Sequence, residues 1–148
     1  MLLTQLEAKK HGYEDVVYLD AVSNTFLEEV SSCNIFVVKG NVIKTPPLRG
    51  TILPGVTRRS VIELARAEGF TVMEEDITAE EAMEADEVFT SGTAVVICTV
   101  GSLTFKGQRR QFGEVGEPTP VGLKLYQKLT GLQNEAIDDP YGWIRPVL

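Results

Sequence analysis

The stretch EVSSCNIFVVKGNVIKTPPLRGTILPGVTR (residues 29–58) decides how this chain folds. Its segment IFVVKGNVIKT (35–45) places two apolar runs on either side of Gly40-Asn41, a pattern typical of a β-hairpin. LPGVTRRSVIELARAEG (53–69) then predicts a helix with a glycine and a threonine at its start. Because the first N–H groups of a helix are unpaired and carry a partial positive charge, this helix start can bind a phosphate. A threonine at such a position is more often a simple cap.

Glu29 lies one strand earlier, in TFLEEV (25–30). Side chains alternate along a strand, so Glu29 points to the same side as Leu27. If Leu27 is in the core, the Glu29 carboxylate faces inward and needs a partner, because an unpaired buried charge is costly. A bend at the small residues after Val30 would instead turn Glu29 to water, and alternation alone leaves both readings open.

Composition narrows the class of protein. The chain has 148 residues, enough for one domain with its own core, and 43% of them are hydrophobic. A net charge of −7 disfavours nucleic acid and anionic membranes as partners, because both bind basic patches.

MLLTQLEAKKHGY is too short and too charged for a secretory signal, so the compartment stays open between cytoplasm and organelle. The two cysteines form no disulfide framework or zinc spacing, and we expect no metal.

The remaining segments mix helices and strands. Helices are predicted at 2–13, 56–68, 78–85 and 118–135, and strands at 16–20, 25–30, 70–76, 87–90, 95–100 and 102–106. The first helix is predicted to be amphipathic, with Leu2, Leu3 and Leu6 on its apolar side. Several strands are linked as hairpins, and no repeated βαβ pattern is present, so a mixed α/β (α+β) fold in a single domain, residues 1–148, is expected.

The stretch 29–58 also carries a family signature at fixed spacing, made of Glu29, Ser31, Asn34, Ile35, Phe36, Ile43, Thr45, Leu53, Gly55, Val56 and Arg58. This pattern resembles the class IV aminotransferases, the fold-type-IV pyridoxal-phosphate enzymes. TILPGVTR (51–58), ADEVFTSGTAVV (85–96) and the closing YGW resemble the branched-chain aminotransferases, and most of all the plant type.

The resemblance implies the barrel-like large domain of a fold-type-IV enzyme, incomplete, as the C-terminal part of a family member. The family reaction is pyridoxal-phosphate-dependent amino transfer between leucine, isoleucine or valine and 2-oxoglutarate. D-amino-acid aminotransferases and aminodeoxychorismate lyases share the signature and remain alternatives. Amino acids and 2-oxo acids are therefore the expected small-molecule partners, and family members are homodimers.

The resemblance also implies roles for particular residues. Glu29 matches the carboxylate that holds the proton on the pyridine nitrogen, and Leu53 matches the residue that packs under the ring. Val56, Thr57 and Thr93 match the phosphate-binding positions. The backbone at Thr93 and Ala94 matches the position that receives the substrate carboxylate. Taken by itself, the SGT turn that contains Thr93 is more typical of an ordinary β-turn.

The family's Schiff-base lysine lies upstream of the helix that begins this sequence, so counting back from Glu29 predicts that the chain lacks it. Lys9 and Lys10 are expected to be exposed charges at a helix end. We therefore expect a protein that is inactive alone. The alternative is a non-catalytic paralogue that binds cofactor, or that pairs with an intact relative as a heterodimer or with itself as a homodimer.

Four further side chains are expected to have ordinary surroundings. Arg58 and Arg59 are expected to be solvated, as arginines after a helix start usually are. Cys33 and Cys98 are expected to be small core residues.

Overall fold

The computed structural model describes residues 2–147 of the chain. The α-helices within these residues are α1 (Leu2–Lys10), α2 (Val56–Ala67), α3 (Ala79–Met83) and α4 (Pro120–Gln133). The strands are β1 (Val17–Leu19), β2 (Leu27–Val30), β3 (Asn34–Lys39), β4 (Val42–Thr45), β5 (Thr71–Glu74), β6 (Glu87–Gly92), β7 (Val96–Thr99), β8 (Ser102–Phe105) and β9 (Gln108–Gln111). The predicted elements are present in the predicted order, with ends that differ by a few residues, and β9 is an additional strand that was not predicted.

A five-stranded sheet of order β5-β4-β3-β6-β7 forms the centre of the fold. The predicted hairpin is present as β3 and β4, and Gly40 takes a φ of 55° at its turn, a conformation that glycine adopts without strain. Every pairing in this sheet is antiparallel except that of β4 with β5. Phe36 of β3 lies opposite Phe89 of β6, and their rings stack with centroids 4.9 Å apart.

The middle strand β3 is buried on both faces, which explains its uninterrupted apolar sequence. Phe36 and Val38 point to the face covered by α2 and α4, whereas Ile35 and Val37 point to the opposite face. That second face is covered by α3, the β1–β2 pair and Phe112. The fold therefore has three layers, with helices on one side of the sheet and smaller elements on the other.

Ion pairs and caps fix the helices to these layers. The Glu68 carboxylate at the end of α2 contacts the ammonium groups of Lys124 and Lys128 on α4, at 2.8 Å and 3.2 Å. These two lysines hold the pKa of Glu68 below its usual value. Thr78 and Glu81 form the predicted capping box at the start of α3.

The mixed α/β fold is confirmed, but the described strands do not close into a barrel. The central sheet ends at β5 and β7, and β1–β2 and β8–β9 form separate two-stranded sheets. The apolar side predicted for α1 is not packed in the core: Leu3 is 81% exposed and Leu6 is 50% exposed, and the side chain of Leu2 lies outside the described part of the structure. α1 instead turns its polar side, with Thr4 and Glu7, toward a groove that it shares with β1 and β8. None of the helices in residues 2–147 is long and apolar enough to cross a bilayer.

The start of helix α4 is capped by a side chain of the central sheet and not by its own N-cap residue. The N-cap residue Thr119 makes no side-chain hydrogen bond to the helix start. The buried carboxylate of Glu87, on β6, instead accepts hydrogen bonds from the N–H groups of Val121 and Gly122 at 3.0–3.2 Å. A carboxylate at this end also interacts favourably with the helix dipole. Glu87 therefore joins the central sheet to the last helix.

We predict that Glu87→Ala lowers the free energy of unfolding by about 2–3 kcal/mol, because it leaves buried helix N–H groups without an acceptor. Urea unfolding followed by circular dichroism measures this change. Glu117→Ala, at an exposed glutamate in the loop before α4, is the control and should shift stability by less than about 0.5 kcal/mol. Equal losses in the two variants would contradict the capping role.

Candidate functional site

One small pocket lies where three segments of the chain meet. Its walls are residues 29–34 between β2 and β3, Leu53, residues 55–57 at the start of α2, and residues 91–93 at the end of β6. The cavity volume is about 130 Å³. This volume is below the roughly 300–1,000 Å³ that sites for drug-sized ligands usually enclose.

Glu29 lines this pocket and is half-buried, as is its neighbour Glu28, so the burial of β2 does not follow the simple alternation assumed from the sequence. Its carboxylate Oε2 accepts a hydrogen bond from the Leu53 backbone N–H at 3.1 Å. The preceding residue, Glu28, accepts a hydrogen bond from the Thr51 hydroxyl at 2.8 Å. Two adjacent glutamates therefore tie β2 to the loop before α2, and Glu29 is the one that lines the pocket.

Leu53 is held by its backbone. Its carbonyl oxygen accepts hydrogen bonds from the Asn34 side-chain amide at 2.9 Å and from the Gly55 N–H at 2.8 Å. With the bond to Glu29, both backbone polar groups of Leu53 are paired. The Leu53 side chain is 67% exposed, so it projects from the pocket wall with its apolar surface uncovered.

Helix α2 begins directly beside this fixed loop. Its N-cap is Gly55, in an extended conformation, and no side chain of the described residues caps the helix start. A Cβ atom at Gly55 would overlap the Asn34 side-chain oxygen, so only glycine allows the loop to approach β3 this closely. The first turn, with Val56 and Thr57, therefore presents uncapped N–H groups to the pocket.

The end of β6 completes the wall. Ser91 pairs with Asn34 in the β3–β6 register, and Gly92 lies against the turn that contains Ser32 and Cys33. A Cβ atom at Gly92 would come within 3.1 Å of the Cys33 sulfur and 3.3 Å of the Ser32 carbonyl oxygen. Small residues at this strand end therefore let three backbone segments converge on one space.

The loop after β6 leads into a strained residue. Thr93 lines the pocket, and Ala94 follows it in the loop but lies outside the pocket wall. Val96, where the chain re-enters the sheet, has a φ of 57°, which is rare for a β-branched residue. Strain of this kind is concentrated at functional sites, which supports a specific role for the loop at 93–95.

The structure thus brings Glu29, Leu53, Val56, Thr57 and Thr93 to a single pocket, and it leaves Ala94 next to it. The roles of these residues in binding a cofactor remain predictions. Sequence reasoning assigned no function to Asn34 or Ser91, although both lie in this wall. Asn34 could have been found, because it is a fixed position of the signature.

Arg58 and Cys98 correct two expectations. Arg58 was expected to be solvated, but it is 4% exposed and donates to the Pro46 carbonyl and the Glu74 carboxylate, each at 2.9 Å. It fixes the Pro46 loop to β5 and does not line the pocket. Cys98 was expected in the core but is exposed on the edge strand β7, where it borders a groove that Cys33 also lines. Partial desolvation and the nearby Glu14 raise the pKa of its thiol. Cys33 is half-buried between the pocket and the second sheet face.

The residues that line this pocket are part of a segment shared with known proteins. The family model for amino-transferase class IV matches residues 1–103. The chain belongs to the class IV aminotransferase family. The resemblance stated from the signature is therefore confirmed.

Curated relatives of this class IV aminotransferase chain include plant enzymes. It is 54% identical over 143 residues to branched-chain-amino-acid aminotransferase 5, chloroplastic, of Arabidopsis thaliana, a match that covers 97% of this chain and 34% of that protein. It is 52% identical to branched-chain amino acid aminotransferase 2, chloroplastic, of Humulus lupulus, covering 97% and 35%. The chain thus spans about a third of the length of these relatives.

Solved structures of branched-chain aminotransferases have the same fold as this class IV aminotransferase chain. The branched-chain amino acid aminotransferase from Escherichia coli superposes with a TM-score of 0.82 at 39% identity, covering 96% of this chain and 46% of that one. A second enzyme of this name, solved as a complex with N-(5'-phosphopyridoxyl)-L-glutamate, superposes with a TM-score of 0.81 at 30% identity, covering 96% and 45%.

We predict that Gly55→Ala lowers the free energy of unfolding by about 1–3 kcal/mol, because the new methyl group must displace the Asn34 side chain from Leu53. Gly101→Ala is the matched control, since the nearest atom to its new Cβ is 4.0 Å away. The control should be neutral or slightly stabilising. Chemical unfolding of both variants measures the difference, and a Gly55→Ala chain as stable as the control would contradict the packing described.

Proposed function

We propose that this chain is a branched-chain-aminotransferase-like protein that binds pyridoxal phosphate in the pocket between β2, α2 and β6. The observation that carries the proposal is that a half-buried carboxylate, Glu29, and an uncapped helix start line the same pocket. Pyridoxal phosphate is a flat molecule with a protonated ring nitrogen at one end and a phosphate at the other. A carboxylate suits the nitrogen and a helix start suits the phosphate, so a site for this ligand needs both features together.

A buried hydroxyl group at the pocket also suits a polar ligand. Ser91 is fully buried and is one of the residues that line the pocket, and its hydroxyl makes no hydrogen bond within the described residues. A buried hydroxyl without a partner is unfavourable, so it suits a site that a polar ligand completes. This supports an oxyanion-bearing ligand at the α2 start.

Each residue has a distinct proposed task. When bound, pyridoxal phosphate supplies an electron sink for the electrons that an amino acid releases as it loses its α-proton. Glu29 accepts a charge-assisted hydrogen bond from the ring nitrogen and keeps the proton there. The Glu29–Leu53 hydrogen bond fixes the direction of the carboxylate, so its orientation precedes ligand binding.

The opposite end of the pocket is proposed to bind anions. The N–H groups of Val56 and Thr57 and the residue Thr93 face the space where the phosphate would lie. The backbone of Thr93 and Ala94 is proposed to orient the carboxylate of the amino acid or 2-oxo acid. The exposed Leu53 side chain offers an apolar surface against which the ring can pack.

Branched-chain substrates are proposed from the relatives, whose printed names are those of branched-chain aminotransferases. Full amino transfer between leucine, isoleucine or valine and 2-oxoglutarate is proposed to need more than this pocket. None of the seven lysines in the sequence, all within the described residues, lines it. Six of the seven pair with acidic side chains elsewhere. We therefore propose that the chain alone does not transaminate.

A second candidate function is a non-catalytic protein that holds cofactor or pairs with an intact relative or with itself. Two observations favour it. The pocket is smaller than sites for drug-sized ligands usually are, and the apolar side chains of Leu53 and Val56 in its lining are 67% and 73% exposed. A D-amino-acid aminotransferase or aminodeoxychorismate lyase activity is a weaker alternative, since the relatives described above are branched-chain aminotransferases.

We predict that Glu29→Gln weakens binding of pyridoxamine 5'-phosphate about tenfold, because an amide cannot hold the ring proton as a carboxylate does. This ligand has an amine in place of the aldehyde and cannot react with surface lysines. The glutamine oxygen can still accept from the Leu53 N–H, so the loop should stay in place. Titration calorimetry gives the dissociation constants.

Glu28→Gln is the matched control, because Glu28 precedes Glu29 on the same strand and bonds Thr51 outside the pocket. Its affinity should stay within about twofold of the parent chain, against the tenfold loss expected at Glu29. A parent chain that shows no saturable binding, or a Glu29→Gln chain that binds as tightly as the control, would refute the proposed cofactor site.

We also predict that the purified chain with pyridoxal phosphate, leucine and 2-oxoglutarate forms no glutamate above the protein-free blank, because no lysine lines the pocket. An intact branched-chain aminotransferase in the same mixture is the positive control. Leucine-dependent glutamate formation by the chain would overturn the prediction. So would a single stoichiometric borohydride-trapped adduct that disappears in Glu29→Ala.

A further inference from the structure

Three buried side-chain atoms in the described residues have no hydrogen-bond partner: Arg58 Nε, Ser91 Oγ and Thr119 Oγ1. Only the Ser91 atom belongs to a residue that lines the pocket. The Arg58 guanidinium already bonds Pro46 and Glu74 through another of its nitrogens, whereas the Ser91 side chain has only this one polar atom. Ser91 is therefore the polar group of the pocket whose surroundings are most clearly incomplete.

The position of Ser91 relates it to the helix start. Ser91 lies opposite Asn34 and two residues beyond Phe89, so its side chain shares the sheet face that α2 covers. The side chain of Asn34 rises from the same face to the Leu53 carbonyl, directly before the Gly55 cap. Ser91 thus lines the pocket from the sheet face that α2 covers, and it directly precedes the Gly92-Thr93 segment.

We propose that the Ser91 hydroxyl donates a hydrogen bond to an oxygen of the phosphate group that binds at the α2 start. This inference rests on the proposed function, since it assigns a further side chain to the same site. A phosphate is the part of the ligand that suits this atom, because its oxygens accept several hydrogen bonds at once. The backbone N–H groups of Val56 and Thr57 supply donors from the helix, and Ser91 supplies one from the sheet below.

The same geometry bears on why a serine follows the buried aromatic pair on this face of the sheet. The neighbouring inward residues of the sheet, Phe36 and Phe89, are fully buried, and a hydroxyl beside them costs free energy when it has no partner. A bound phosphate would remove this penalty. Removing the hydroxyl should therefore leave the free chain at least as stable, while the phosphate-bearing complex is weakened.

The test compares Ser91→Ala with the parent chain in titrations with two probes, pyridoxamine 5'-phosphate and pyridoxamine, which differ only in the phosphate group. We expect Ser91→Ala to bind pyridoxamine 5'-phosphate about tenfold more weakly, and to bind pyridoxamine as the parent does. Thr119→Val is the matched control, because it removes an equally unpartnered buried hydroxyl outside the pocket. It should leave the affinity for both probes unchanged.

The two proposals fail in different ways. If the parent chain binds pyridoxamine 5'-phosphate and Ser91→Ala binds it equally well, the role of Ser91 is refuted and the cofactor site stands. If Ser91→Ala weakens both probes by the same factor, the hydroxyl does not act on the phosphate, and the inference is refuted. If the parent chain shows no saturable binding of pyridoxamine 5'-phosphate, the cofactor site and the role of Ser91 are both refuted.

Discussion

The hydrogen bond from the Asn34 side-chain amide to the Leu53 carbonyl is the contact on which the site depends. It joins the central sheet to the loop before α2, and the Gly55 cap leaves just enough room for it. Because Glu29 bonds the N–H of the same residue, Leu53 is fixed to two strands. The direction of the carboxylate and the position of the helix start are therefore set together, before any ligand binds.

The two faces of the sheet differ in their surroundings, and so do the middle and the ends of its strands. On one face, Phe36 and Phe89 pack beneath α2 and α4, and the same rows end in the polar pair Asn34 and Ser91 at the pocket. On the other face, the smaller elements cover Ile35 without contributing to the α2 start. The packed core thus lies at the middle of the strands, and the residues of the candidate site lie at their ends, where the backbone turns.

Much of the fold was predictable because local signals agreed. The hairpin turn at Gly40, the α2 period and the Thr78 capping box each specify a local structure without tertiary information. The signature also predicted which segments meet. What it could not predict depends on packing between distant segments. The burial of Arg58 requires β5 beside the Pro46 loop, and the isolated Ser91 hydroxyl follows from the β3–β6 register, which no short motif encodes.

The most direct test of the cofactor site is to map where pyridoxamine 5'-phosphate binds, using backbone amide NMR spectra of the ¹⁵N-labelled chain during titration. We expect saturable shifts in three segments, residues 29–34, 53–57 and 91–94, and only small changes elsewhere. Shifts confined to another surface would contradict the site, for example the groove shared by α1, β1 and β8. A spectrum that does not respond to the ligand would contradict it equally.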